Sequence, residues 1–70
     1  MVNSEAIKNR MKELNLRQKD AAHCLGCKPS TACQKINNRR PMYLDEAWKL
    51  AILLGVENEF RTYFFAPNVA

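Results

Sequence analysis

Three kinds of side chain in this 70-residue sequence carry groups that can do chemistry: a set of thiols, a lone imidazole, and a run of amides and cations. Cys24 and Cys27 form a C-x-x-C pair, with His23 beside the first and Cys33 six residues after the second. These are metal-ligand and redox groups. A structural zinc site, however, needs four ligands converging tetrahedrally, and no second paired cluster follows. As neighbours on a helix, His23 and Cys24 point about 100° apart. Three cysteines, an odd number, also argue against a disulfide framework and fit a reducing compartment. The thiols are therefore expected to be structural or incidental, with no metal and no cofactor. Catalysis finds no footing either, for there is no glycine-rich phosphate loop, no nucleophile with an assigned base, and one histidine beside an apolar stripe. No enzyme and no small-molecule substrate are expected.

The amides and cations suggest different chemistry. Gln34 can bond adenine in bidentate fashion, Lys28 can donate to guanine O6 and N7, and Ser30 can serve either partner. Pro29 and Cys33 offer small apolar surfaces to a thymine methyl. Arg39 and Arg40, the strongest local basic feature, suit phosphate oxygens. The formal charge of +4 is unevenly spread. Up to Arg40, nine Lys/Arg and three acids give +6, whereas from Pro41 onward two bases and four acids give −2. Phosphate binding requires such a basic half, although charge alone fits a solvated basic face equally well.

These groups need elements to hold them. In the stretch Gln18 to Ile36, Ala21, Ala22 and Leu25 recur at helical spacing, and Gly26 can take positive φ to end that helix. Pro29 suits the first turn of a second helix running to about Ile36, whose inner face is Ala32 and Ile36. The pattern is a helix-turn-helix over about residues 17–37, with Lys28, Pro29, Ser30, Cys33, Gln34 and Asn37 looking outward. Upstream, Asn3 or Ser4 can cap a first helix whose apolar stripe is Ile7, Met11 and Leu14, ending near Leu14-Asn15. At the edge of that stripe Arg10 is either a phosphate contact or an intrahelical partner of Glu13. Asn38 can adopt the left-handed conformation that caps the second helix of the motif. A fourth helix is predicted over Leu44–Leu54, with Trp48 anchoring the core and Gly55 as the stop. A fifth runs Glu57–Phe65 with Phe60 and Phe64 inward, ended by Pro67.

Leu16, Gln18, Ala22, Leu25, Gly26 and the small apolar Cys27 resemble the opening of the motif in the repressor/Cro (Xre-type) DNA-binding family. Arg17 stands where that family usually has a Ser or Thr cap, and Lys35 stands where its pattern wants an aliphatic residue. The late Ile36 with Asn37-Asn38-Arg39-Arg40-Pro41, and the ending Tyr63-Phe64-Phe65-Ala66-Pro67-Asn68-Val69, are similar to the very short Cro/repressor-like proteins of phages infecting Gram-positive bacteria. The resemblance implies an all-α, lambda-repressor-like domain of five short helices that binds a double-stranded, palindromic operator, as a homodimer at least on DNA. It implies base reading by Pro29, Ser30 and Gln34, joined here by Lys28 and Cys33. It places phosphate contacts at Gln18, Arg39 and Arg40, to which Arg10, Arg17, Asn37 and Asn38 are added.

Seventy residues are expected to form one small helical domain without a separate catalytic one. No apolar run approaches the ~18 residues of a membrane span, and Met1 to Glu5 lacks the pattern of a signal peptide, so a cytoplasmic protein of a bacterial host is expected. The rival reading is a protein-binding or antitoxin-like module that kept the fold without operator reading, motivated by Pro29 and Lys35. In the operator-binding reading, Phe60, Tyr63, Phe64 and Phe65 either close the small core or leave some of their number as a self-complementary two-fold patch, since one module of this size contacts few bases.

Overall fold

The structure, a computed structural model, describes residues 2–65, and every regular element among them is helical. Helix α1 spans Ser4–Glu13, α2 Gln18–Leu25, α3 Pro29–Ile36, α4 Leu44–Leu54 and α5 Phe60–Phe64, the last preceded by a 3-10 turn at Glu57–Glu59. No helix among the described residues is long and apolar enough to cross a membrane. Ala66 to Val69, and Pro67 as a helix stop, lie outside the described residues.

Four helices end in the same way. Asn15, Gly26, Asn38 and Gly55 take positive φ, between 58° and 71°. After each, the next residue's N–H reaches back five residues to a carbonyl: Leu16 to Met11, Cys27 to Ala22, Arg39 to Gln34 and Val56 to Ala51, at 2.8–3.0 Å. This closes carbonyls that a helix end leaves open. Glycine adopts the left-handed conformation freely, and asparagine is among the few other residues that visit it routinely.

The core draws on one face of each helix: Ile7 and Met11 from α1, Ala22 and Leu25 from α2, Ala32 and Ile36 from α3, Leu50 and Leu54 from α4, and Phe64 from α5. Buried alanines at 21, 22, 32, 47 and 51 keep the helices close. Three expectations are corrected. Trp48 does not anchor the core, being 47% exposed; Ala47, Leu50, Ala51 and Leu54 define the inward face of α4, and Trp48 lies about 100° round from Ala47. Leu14 is 39% exposed at the end of α1, and Leu16 packs on the core in its place. The fifth helix does not run unbroken from Glu57, because Glu59 N–H bonds the Val56 carbonyl in a tighter i to i+3 turn.

Residues 2–4 act as a strap. Asn3 caps α1 by accepting from Ala6 N–H, while its own N–H donates to the Tyr63 carbonyl at 2.7 Å. Ser4 Oγ donates to the Ile36 carbonyl at 2.5 Å. The Asn38 amide meets Val2 on both sides, accepting its N–H at 2.8 Å and donating to its carbonyl at 2.9 Å. The strap thereby joins the ends of α3 and α5 to α1.

Candidate nucleic-acid interface

Helices α2 and α3 are joined by Gly26, Cys27 and Lys28 and pack directly on each other. Gly26 at φ +71° reverses the chain, and Lys28 is extended, as a residue before proline must be. With Ala32 and Ile36 turned inward and fully buried, the opposite arc of α3 holds Ser30, Gln34 and Asn37, with Cys33 at its margin, while Pro29 lies closer to the buried side at the exposed first turn. Lys28, Pro29 and Ser30 are exposed, whereas Cys33, Gln34 and Asn37 are half-buried. Asn37 is partly engaged within the helix, its Nδ2 donating to the Cys33 carbonyl at 2.8 Å and lying 3.3 Å from Cys33 Sγ.

Lys35 leaves this arc. It forms an ion pair with Glu46 of α4, the two side chains being 13% and 14% exposed. Its ammonium also stands 5.7 Å from the centre of the Tyr43 ring, and Glu46 Oε1 accepts the Tyr43 N–H at 3.0 Å. A polar residue where an aliphatic one was expected thus fastens α3 to α4.

Arg39 and Arg40 follow the left-handed Asn38, and both are exposed. Their backbone N–H groups donate to the Gln34 carbonyl at 2.8 and 3.2 Å, so the two exposed residues sit directly at the end of α3. The Asn38 amide, placed with them among phosphate contacts, is committed instead to Val2 and Ser4. Arg10 is committed too. Its Nε donates to the Leu54 carbonyl at 2.9 Å and its guanidinium lies 3.6 Å from Glu13, so it closes the C-terminal end of α4 as well as pairing along α1.

At the start of α2, Arg17 is exposed and its N–H donates to Asp20 Oδ2 at 2.8 Å. Gln18 Oε1 is buried with no partner among the described residues. Arg17 and Gln18 share a depression of about 290 Å³ with Lys8 and Lys12 of α1, above Met11 and Leu16. Lys8 and Lys12 are not among the phosphate contacts expected from the sequence. Their spacing of four, flanking the buried Met11, was the available signal.

The cysteines are all free and half-buried. Cys24 Sγ donates to the Lys49 carbonyl at 3.4 Å, and burial pushes its pKa up against a smaller lowering by the Lys49 ammonium. That holds the group as thiol at neutral pH, a poor nucleophile. Among the described residues no three His, Cys, Asp or Glu side chains converge as a metal-holding group. Compared with known protein families, curated proteins and solved structures, the chain has no match.

Proposed function

We propose that this chain is a helix-turn-helix protein of lambda-repressor-like design that binds duplex DNA sequence-specifically, as a phage or prophage regulator of the Cro/repressor type. The observation that carries the reading is the side of α3 opposite its buried face. Ser30 and Gln34 stand there on a helix braced by α2 and by the Lys35–Glu46 pair, with Lys28 and Pro29 exposed at its start and Arg39 and Arg40 at its end. A helix so held can enter a major groove with donors and acceptors at base edges and guanidinium groups over the backbone. Arg17, Lys8 and Lys12 would add phosphate contacts at the α2 start, where Gln18 has an amide N–H to donate and the helix dipole favours an anion. Two copies on a two-fold operator would regulate by occupancy, excluding polymerase or a competing regulator.

Selection from random-sequence DNA, followed by binding to the selected and a scrambled duplex, tests this. Gln34→Ala should cost about 1–3 kcal/mol on the selected duplex and relax one position only. If no sequence is enriched and both duplexes bind weakly and equally, operator reading is wrong and the protein-binding module on the same fold takes its place.

A further inference from the structure

We propose that the outer face of α4 is a self-pairing surface through which two copies of this chain associate. A cluster of exposed apolar side chains with a polar rim marks a contact site. Leu44, Trp48 and Ile52 are 65%, 47% and 53% exposed. Recurring every four residues, they make one stripe along α4. Helix α5 widens it: Phe65 at its end is 56% exposed, and Phe60 packs edge-on to both Trp48 and Phe65, each at 5.3 Å between ring centres. The stripe faces away from α3, since Glu46, which holds Lys35, is about 160° around α4 from Trp48.

Its occupant follows from the arrangement of the stripe itself. Trp48 is central, with an aliphatic side chain four residues to either side, Leu44 and Ile52. Antiparallel pairing of α4 about a two-fold axis sets Trp48 against Trp48 and Leu44 against Ile52 of the second copy, as an isologous contact requires. Asp45 and Lys49 are exposed along one edge of the stripe. That two-fold keeps the edge on its own side, so Asp45 of each copy comes within about 3 Å, measured along the helix, of Lys49 of the other. Glu46 is already neutralised by Lys35 and adds no repulsion. A partner of uniform charge would oppose either Asp45 or Lys49, whereas a second copy matches both.

The area sets the strength. Four such side chains, each about half exposed, offer on the order of 400 Å² per copy, or about 800 Å² per pair, below the ~1,200 Å² of a stable specific interface. Pairing is therefore concentration-dependent.

This inference does not rest on DNA binding and is tested on protein alone. Trp48 is the sole tryptophan, so it reports on the surface directly. Sedimentation equilibrium and tryptophan emission are followed from micromolar to millimolar protein. The expected result is a mass rising toward the dimer, with emission moving to the blue along the same curve. Ile52→Lys should stay monomeric with unchanged helical circular dichroism. Lys49→Asp should weaken pairing several-fold, and Asp45→Lys added to it should restore pairing. A monomer with concentration-independent emission up to millimolar overturns the proposal. So does a dimer indifferent to Ile52→Lys and to the charge exchange.

Discussion

Lys35 and Glu46 show how much a single residue's role depends on a partner distant in sequence. Each side chain keeps only a sliver of solvent contact, and the carboxylate is held from two sides, by the ammonium and by the Tyr43 N–H. Removing one member of a largely buried pair leaves an uncompensated charge, which costs about 3–5 kcal/mol, whereas replacing both with apolar residues of similar volume is often neutral. Lys35→Met should therefore destabilise the fold by about 3 kcal/mol, the low end because both groups still reach water. Lys35→Met with Glu46→Leu should recover most of that, less about 1 kcal/mol for the lost bond to Tyr43. A double-mutant cycle by urea denaturation reads the coupling directly. Local pattern marks Lys35 only as a departure from an aliphatic position, because the group that explains it lies eleven residues on, in another helix. Arg10 was ambiguous for the same reason: its carbonyl partner is 44 residues away.

At the scale of elements, the helix ends at Gly26, Asn38 and Gly55 and the inward faces of α2 and α3 were legible, whereas the inward face of α4 was not. An end is encoded locally, and Gly26, Asn38 and Gly55 each carry the backbone freedom that a left-handed residue demands. The inward side of α4 was not legible, because Ala47, Trp48, Leu50, Ala51, Ile52, Leu53 and Leu54 leave almost no polar residue to mark the outside. Only packing against the other helices decides that Trp48 and Ile52 face out. The two kinds of helix end should also respond differently to substitution. A Cβ at Gly26 would meet no atom within 4 Å. Gly26→Ala should therefore cost only the left-handed backbone penalty, about 1–2 kcal/mol. Asn38→Gly keeps the backbone free but deletes the bonds to Val2 and Ser4, a loss of about 2–3 kcal/mol at roughly 1 kcal/mol per bond. Asn38→Ala should lose both contributions. Thermal or urea unfolding of the three variants separates conformation from strap, and an Asn38→Gly variant as stable as wild type would show that the strap contributes nothing.

Across the whole molecule, the division into a basic N-terminal part and an acidic remainder becomes a division of labour among cations once their partners are known. Lys35 is bound to Glu46, and Arg10 donates to the Leu54 carbonyl and pairs with Glu13, so we propose that neither serves as a phosphate grip. Arg39 and Arg40 are exposed beyond α3, and Lys8, Lys12 and Arg17 surround the depression at the start of α2. If these two sets grip the two sides of a groove, each phosphate contact contributes about −0.9 to the slope of log affinity against log salt. Arg39→Ala with Arg40→Ala should then flatten the slope by nearly 2 and weaken every duplex alike, and Lys8→Ala with Lys12→Ala should do the same. Arg10→Ala is the control that separates this from a general loss of positive charge. It should leave the slope unchanged while lowering stability by about 1–2 kcal/mol, because it removes a charged donor from the Leu54 carbonyl. Titrations at several salt concentrations, paired with urea denaturation of each variant, resolve the sets. Equal flattening by Arg10→Ala and by the Arg39/Arg40 pair would mean that the protein presents DNA with diffuse charge rather than with two grips on its backbone.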